Sequence, residues 1–271
     1  MIDEVLAIAR DAADVVMRVY GTQFVVDYKG PQDPVTAADR EANELICTRL
    51  ERAFPGVPIV AEESEPSTFG AAFGAAEAWF VDPLDGTREF VDRNGEFCVM
   101  IGLARAGRAA LGVVVCPAFG GGRTFAGDER GSFEIARDGS RRALRVSETA
   151  DVRDARVVVT RSHRAPALDA ALAKLGARAV VPTGSAGIKA ALVASGEADI
   201  YLQPGRAGKR WDSCAPEAIV AGAGGVFSDT RALAFEYASG EIENARGLLA
   251  SNARLASAVQ ALFRSEDRAP R

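Results

Sequence analysis

The first fifty residues carry two helical patterns of apolar side chains. Between residues 3 and 20 apolar side chains recur every three or four positions, and Asp3 is placed to cap the start of this helix. A second apolar stripe runs through residues 36 to 54, where Thr36 and Asp39 fit a capping box. The chain is therefore expected to begin with two amphipathic helices.

Short apolar runs of the length expected for strands follow the two helices. They lie at residues 57–61, 78–82, 96–104, 109–116 and 122–126. A turn at Gly107 joins two of the central runs, so this half is expected to form a largely antiparallel sheet.

After a polar stretch at residues 137–155 the pattern changes to an alternation of strands and helices. It predicts strands at 156–160, 178–182 and 199–203, and helices at 165–175, 185–195 and 212–223. We therefore expect an N-terminal α+β lobe over residues 1–145, a C-terminal α/β lobe over 146–265 and a disordered tail over 266–271.

The composition excludes several classes of protein. A chain of 271 residues, of which 48% are hydrophobic, is long enough to bury a sizeable core. The net charge of −5 argues against a nucleic-acid polymer as ligand, because backbone binding needs a basic face. Four cysteines without a C-x-x-C pair, and no signal peptide before the first helix, indicate reduced thiols and a cytoplasmic location. No apolar run approaches the roughly 20 residues that a membrane span needs.

Three acidic stretches far apart in the chain indicate metal-dependent phosphoryl chemistry. They are Ala61-Glu62-Glu63-Ser64, Asp82-Pro83-Leu84-Asp85-Gly86-Thr87 and Trp211-Asp212-Ser213. The middle stretch places two aspartates at the end of an apolar strand, and oxygen ligands of this kind suit Mg²⁺ or Mn²⁺ rather than zinc. The glycine that follows lets the backbone approach a phosphate, with the Gly86 and Thr87 amides as donors. An ordinary acidic turn is the alternative for the middle stretch taken alone.

Together with Pro34-Val35-Thr36-Ala37-Ala38-Asp39, these stretches resemble the signatures of the inositol monophosphatase superfamily, in the family's order. The resemblance implies a layered αβαβα sugar-phosphatase fold and two to three Mg²⁺ ions, with Mn²⁺ as a possible substitute. The implied metal ligands are Glu62, Asp82, the Leu84 carbonyl, Asp85 and Asp212. It further implies that Thr87 and Asp39 form a dyad that activates the attacking water, assisted by Glu63.

Within the superfamily, the segment from Thr87 to Phe97 resembles the CysQ branch of 3'(2'),5'-bisphosphate nucleotidases. The segments Thr160-Arg161-Ser162-His163, Gly184-Ser185 through Lys189, and Ala198-Asp199-Ile200-Tyr201 resemble the same branch. The implied substrate-binding residues are Gly86, Thr87, His163, Gly184, Ser185, Lys189 and Asp212. Several members carry an arginine near the position of Gln203, whereas the nearest guanidiniums here belong to Arg206 and Arg210.

The residues alone leave alternatives open. Asp39 could serve only in a helix cap, His163 could be a surface histidine, and Lys189 could extend from an apolar helix to solvent. The substrate expected from the resemblance is 3'-phosphoadenosine 5'-phosphate or its sulfated form. An inositol-1-monophosphatase, a fructose-1,6-bisphosphatase and a catalytically idle sensor of phosphate ligands are the alternatives. The protein is expected to be a monomer or a homodimer that acts on a small phosphate ester.

Overall fold

The computed structural model describes residues 1–30, 33–136, 138–162 and 164–266. The α-helices in these ranges are α1 (Ile2–Tyr20), α2 (Ala37–Ala53), α3 (Thr87–Val91), α4 (Pro166–Leu175), α5 (Ala186–Ala194), α6 (Trp211–Gly222) and α7 (Ala253–Glu266). The strands of the first half are β1 (Asp27–Gly30), β2 (Asp33–Val35), β3 (Ile59–Ala61), β4 (Glu77–Asp85), β5 (Cys98–Arg105), β6 (Arg108–Cys116), β7 (Arg123–Asp128), β8 (Gly131–Ile135) and β9 (Arg141–Ala143). The strands of the second half are β10 (Arg156–Thr160), β11 (Ala179–Thr183), β12 (Ile200–Gln203), β13 (Val226–Ser228) and β14 (Leu248–Ser251).

The first half forms a seven-stranded sheet in the simple order β3-β4-β5-β6-β7-β8-β9. Only β3 and β4 pair in parallel, and every other neighbouring pair in this sheet is antiparallel. The expected turn at Gly107 joins β5 to β6, and both Ala106 and Gly107 have positive φ there. The largely antiparallel sheet is therefore confirmed.

The second half forms a five-stranded sheet in the order β11-β10-β12-β14-β13. Its β10 pairs in parallel with both β11 and β12, as expected for strands joined by crossover helices. The strand β14 lies antiparallel between β12 and β13. The six elements predicted between residues 156 and 223 are all present, whereas β13, β14 and α7 were not predicted.

The two sheets and the helices form five layers. Helices α1 and α2 cover the outer face of the seven-stranded sheet, α5 and α6 lie between the sheets, and α4 and α7 cover the outer face of the five-stranded sheet. This arrangement confirms the layered αβαβα fold expected from the resemblance.

The alternation of side chains along β5 shows how one strand serves two cores. Cys98, Met100 and Ala104 face the middle helices, while Val99 and Ile101 face α1 and α2. Full burial of a side chain as large as Val99, Met100 or Ile101 contributes roughly 1.5–3 kcal/mol. The middle core takes residues from both halves of the chain. The lobe boundary near residue 145 stays a prediction.

Helix α6 approaches the seven-stranded sheet very closely, because two strand residues have no side chain. A Cβ at Gly102 would lie 2.6 Å from the Ala215 nitrogen, and one at Gly112 would lie 2.2 Å from the Ala215 oxygen. A larger residue at either position would push α6 away from the sheet. The close packing fixes the N-terminal end of α6, and with it Asp212, against the end of β4.

Three local expectations need correction. Asp3 does not cap α1, because Met1 occupies the N-cap position and Asp3 lies in the first turn, where it pairs with Arg141. The polar stretch at residues 137–155 includes the strand β9, whose side chains are exposed and so gave no apolar signal. Helix α7 extends to Glu266, and the rest of the predicted tail lies outside the described residues.

All four cysteines lie in the described part of the chain, and each is a free thiol. Among the described helices, none combines the length and the apolar character needed to cross a membrane. The cytoplasmic location and the choice between monomer and homodimer stay predictions.

Candidate active site

A pocket of about 400 Å³ opens at the end of β4, where the two sheets and the middle helices meet. The predicted site residues that line it are Glu62, Asp82, Leu84, Asp85, Gly86, Thr87, Gly184, Ser185, Lys189 and Asp212. Asp39 accepts a hydrogen bond from the lining residue Thr87, and Glu63 directly follows the lining residue Glu62 in the chain. His163 lies outside the described residues. Within those residues, the structure therefore gathers the predicted site in one place.

A bulge at the end of β4 turns two aspartates toward this pocket. Asp82 pairs with Met100 and Asp85 pairs with Cys98, so three steps along β4 match two steps along β5. The extra residue places both aspartates on the face of the sheet that Met100 and Cys98 share, whereas regular alternation would separate them. Pro83 lies between them and has no N–H to lose from the strand pairing.

Asp212 completes a group of three carboxylates. It is the second residue of α6, and its Oδ2 accepts a hydrogen bond of 2.5 Å from the Lys209 N–H. Ligand oxygens of Asp82, Asp85 and Asp212 all lie within 4.8 Å of one another. This donor set consists of oxygen alone and is negatively charged, which fits a hard cation such as Mg²⁺.

The pKa values of Glu62, Asp82 and Asp212 are raised, because burial and mutual repulsion disfavour their ionised forms. Burial raises the pKa of Asp82 well above its usual value, and the charges of Glu62, Asp85 and Asp212 raise it further. Burial likewise raises the pKa of Asp212 to about 8 and that of Glu62 to about 7. A bound cation would reverse this penalty by stabilising the ionised forms.

Asp39 and Thr87 form a second group beside the carboxylates. Thr87 Oγ1 lies 3.0 Å from Asp39 Oδ1 and 3.0 Å from the Leu84 carbonyl oxygen. Asp39 also has its predicted place in the capping box, where its Oδ2 accepts from the Thr36 N–H at 2.7 Å. One aspartate thus caps α2 with one oxygen and accepts from Thr87 with the other. Asp39 therefore serves in the helix cap and contacts Thr87 at the same time, so the two interpretations of Asp39 do not exclude each other.

The start of α5 holds the second carboxylate of the β4 pair. Asp85 Oδ2 accepts hydrogen bonds from Ser185 Oγ at 2.5 Å and from the Gly187 N–H at 2.9 Å. Both donors lie at the N-terminal end of α5, where the helix dipole favours a negative charge.

Lys189 lines the pocket but is largely engaged by the protein itself. Its side chain is only 4% exposed, and Nζ donates to the carbonyl oxygens of Thr183 and Ser185. Nζ also lies 5.1 Å from the centre of the Tyr201 ring. Lys189 therefore joins the two residues that flank Gly184, and the alternative of a lysine that extends to solvent is wrong.

Two pocket residues with a guanidinium group were not given a role by the sequence. Arg88 follows Thr87 directly, and Arg206 lies in the loop after β12. Arg210, which the sequence names with Arg206 as a guanidinium near Gln203, is not a lining residue of this pocket and donates to Asn244. The position of Arg88 directly after the acidic stretch could have indicated a role in the site. The orientation of the Arg206 side chain depends on the conformation of the loop after β12, which the sequence does not indicate.

Lys29 on β1 is a further residue that no sequence pattern indicated. Its ammonium group donates to Glu63 Oε1 and lies 3.4 Å from Glu62 Oε1. The hairpin of β1 and β2 thus lays a positive charge against the two glutamates at the edge of the carboxylate group.

Comparison with known proteins agrees with this geometry. Residues 1–265 match the model of the inositol monophosphatase family. The chain is 35% identical to a protein named 3'(2'),5'-bisphosphate nucleotidase CysQ from Salmonella typhimurium and 36% identical to the protein of that name from Escherichia coli K12. Each alignment covers 88% of this chain and 94% of the relative.

Solved structures show the same fold. The extragenic suppressor protein suhB of Bartonella henselae superimposes with a TM-score of 0.82 at 26% identity, covering 96% of each chain. CysQ of Bacteroides thetaiotaomicron superimposes with a TM-score of 0.73 at 25% identity, covering 92% of this chain and 96% of that one. Since the match to the family model and the similarity to the relatives both span most of the molecule, the chain belongs to the inositol monophosphatase family.

Proposed function

We propose that this chain is a metal-dependent 3'(2'),5'-bisphosphate nucleotidase that hydrolyses 3'-phosphoadenosine 5'-phosphate, or its sulfated form, to an AMP-type product and phosphate. The observation that carries the proposal is the position of the Asp39–Thr87 pair beside three convergent carboxylates. The choice of substrate is supported by relatives that are named as this nucleotidase.

The residues present fit Mg²⁺ in number, charge and donor type. Those that would hold it are Glu62, Asp82, the Leu84 carbonyl, Asp85 and Asp212. Two to three ions are expected, and Mn²⁺ is a suitable replacement because it accepts the same oxygen ligands. When bound, such ions neutralise the phosphoryl oxygens and lower the pKa of the attacking water.

Thr87 and Asp39 would take up the proton of the attacking water. The Thr87 hydroxyl carries one hydrogen, and when this is donated to Asp39 the lone pairs of the hydroxyl oxygen are free to accept from water. Burial raises the pKa of Asp39 to about 6, against the opposing hydrogen bonds from Thr36. A group that titrates near neutrality is well matched to accept a proton at physiological pH. Glu63 would assist from the edge of the site.

The basic side chains of the pocket would bind the phosphate that is not hydrolysed. Arg88 and Arg206 line the same cavity as the carboxylates, and the Ser185 end of α5 forms the wall between the sheets. Guanidinium groups bind phosphate through paired hydrogen bonds. Lys189 contributes by supporting this wall and by its charge. His163, Gly86 and Gly184 remain proposed substrate contacts.

Kinetic comparison of three substrates tests the proposal. With Mg²⁺ present, the purified protein should show a higher kcat/KM for 3'-phosphoadenosine 5'-phosphate than for inositol 1-phosphate or fructose 1,6-bisphosphate. A preference for either sugar phosphate would replace the nucleotidase assignment with that activity, since the metal group would serve all three. Binding of the nucleotide without Mg²⁺-dependent turnover would identify an idle sensor.

A further inference from the structure

Two segments that resemble the nucleotidase branch contact each other beside Gly184, a lining residue of the pocket. Glu96, which follows α3, accepts hydrogen bonds from Arg161 Nε at 2.8 Å and from Arg161 Nη2 at 2.7 Å. The same carboxylate accepts from the Gly184 N–H at 2.6 Å. One side chain therefore joins the loop before β5, the end of β10 and the turn before α5.

The turn that Glu96 holds is strained and has no spare room. Ser185 has a φ of +57° and a ψ of 132°, a conformation that is costly for a residue with a side chain. A Cβ at Gly184 would lie 2.4 Å from Glu89 Cγ and 2.8 Å from the Glu96 carbonyl oxygen. Such a conformation persists only where its surroundings fix it on several sides.

Lys189 and Glu96 hydrogen-bond to different backbone groups of this turn. Lys189, a buried residue that lines the pocket, donates to the carbonyl groups of Thr183 and Ser185. Glu96, which is not a lining residue of the pocket, accepts from the intervening Gly184 N–H. The hydroxyl of Ser185 then reaches Asp85 Oδ2 at 2.5 Å. Hydrogen bonds connect Arg161 to Glu96 and Glu96 to the Gly184 N–H, the peptide bond connects Gly184 to Ser185, and a further hydrogen bond connects Ser185 to Asp85.

We propose that Glu96, held by Arg161, is a positioning residue that fixes the Gly184-Ser185 turn and thereby the carboxylate of Asp85. The inference rests on the proposed function only in that Asp85 is there a metal ligand. Residues that orient a metal ligand typically change metal affinity or activity by about 10- to 100-fold when they are replaced.

A simple surface ion pair is the alternative for Glu96 and Arg161. The Arg161 side chain is 44% exposed and that of Glu96 is 17% exposed, so the pair by itself contributes little to stability. The contact to the Gly184 N–H separates the two possibilities, because a surface ion pair has no influence on Asp85. Arg161 would act by orienting Glu96, and its Nη2 also donates to the Pro182 carbonyl.

The test compares variants by their affinity for Mn²⁺ alone, measured by isothermal titration calorimetry without substrate. Glu96→Ala removes both contacts and should weaken the affinity about tenfold or more. Arg161→Met leaves the contact to Gly184 and should weaken it only about threefold, by loosening Glu96. In this proposal Arg161 acts on Asp85 through Glu96, so the double variant should have no weaker affinity than Glu96→Ala.

Glu197→Ala is the matched control. Glu197 accepts hydrogen bonds from both terminal nitrogens of Arg123 and so forms another bidentate ion pair. Neither residue lines the pocket. This variant should keep the affinity and the turnover of the wild type. Hydrogen exchange at the Gly187 amide, which donates to Asp85, should become faster in Glu96→Ala and stay unchanged in the control.

Wild-type Mn²⁺ affinity and wild-type exchange at Gly187 in a folded Glu96→Ala variant would overturn the proposal. If that variant loses its circular dichroism spectrum, an unchanged affinity in Arg161→Met would overturn it as well. Turnover by the wild-type protein tests the proposed function independently of the role of Glu96. A wild-type protein that binds Mn²⁺ but hydrolyses none of the three phosphate esters refutes the function, and the exchange measurement still decides the role of Glu96.

Discussion

Thr87 Oγ1 lies 3.0 Å from Asp39 Oδ1, although 48 residues separate the two in the chain. The contact exists because the N-cap residues of α2 and α3 are Thr36 and Gly86, so both helix starts meet at the end of β4. Each residue sits there for a local reason, Asp39 in a capping box and Thr87 after a glycine with a φ of +92°. Their meeting gives the site a proton acceptor outside the carboxylate group.

Replacement of Thr87 by alanine tests this role. Thr87→Ala removes the hydroxyl that would accept the proton from water, so kcat should fall by on the order of 10²-fold or more. Thr87→Ser keeps the hydroxyl and should retain most of the activity. Steady-state kinetics and Mn²⁺ titration separate the effects, because metal affinity should stay unchanged in both variants. A raised KM with an unchanged kcat would show that Thr87 only binds substrate.

Asp212→Asn should weaken metal binding while it stabilises the metal-free protein. The variant loses a charged ligand, so Mn²⁺ affinity and turnover should fall by roughly 10²-fold or more. Burial and the charges of Asp85 and Glu62 raise the pKa of Asp212 to about 8, so its ionised form is unfavourable without a cation. The Tm in EDTA at pH 8 should therefore rise. Normal turnover at saturating Mg²⁺ would contradict the role of Asp212.

The metal-free protein should lose stability as the pH rises from 5 to 8. The pKa values of Asp39, Glu62 and Asp212 are raised to about 6, 7 and 8, in each case first by burial. A carboxyl whose pKa is raised by folding stabilises the protein while it is protonated in the folded state. That contribution is present below the unfolded value, near pH 4, and is lost as the pH passes through the folded value.

Thermal melts in EDTA and in Mg²⁺ over this pH range provide the measurement. In EDTA, Tm should decrease toward pH 8, whereas in saturating Mg²⁺ the decrease should be small or absent, because the cation favours the ionised carboxylates. Equal pH dependence under both conditions would show that Glu62 and Asp212 do not bind the metal.

The sequence predicted the parts of the site that depend on local pattern. The capping box at Thr36, the apolar strand that ends at Asp82 and the helix that begins near Asp212 were each visible within about ten residues. Lys29 was not, because its contacts to Glu62 and Glu63 cross 33 and 34 positions and its strand has exposed side chains. The contact between Glu96 and Arg161 crosses 65 positions and required the relation of the two sheets.

Arg88→Met should distinguish the nucleotide substrate from a monophosphate. If Arg88 binds the phosphate that is retained, the loss of one charge-assisted contact costs about 1.5–3 kcal/mol. This corresponds to roughly a ten- to hundredfold decrease in kcat/KM for 3'-phosphoadenosine 5'-phosphate. Turnover of inositol 1-phosphate should change little. Arg206→Met provides the parallel measurement on the other side of the pocket. Equal losses on both substrates would place Arg88 at the common phosphate.

Lys189→Ala separates support of the turn from direct contact with phosphate. Because the ammonium group is buried between the carbonyl groups of Thr183 and Ser185, its removal should lower Tm and weaken turnover of every substrate. A loss confined to the bisphosphate nucleotide, with an unchanged Tm, would show instead that Lys189 binds the retained phosphate. Kinetics on both substrates and a thermal melt supply the answer.

Lys29→Met should tighten metal binding and lower the stability of the metal-free protein. The Lys29 ammonium group pairs with Glu62 and Glu63. A metal ion that binds to these glutamates therefore competes with Lys29 for them. Lys29 is 32% exposed in its side chain, and two ion pairs of this exposure contribute about 1 kcal/mol, or roughly a fivefold change in affinity. Arg40→Gln is the control. It breaks the ion pair between Arg40 of α2 and Asp27 of the same hairpin, and it leaves the ion pairs of both glutamates intact. If Lys29→Met lowers kcat/KM without any change in Mn²⁺ affinity or in the Tm measured in EDTA, the lysine contacts the substrate and does not compete with the metal.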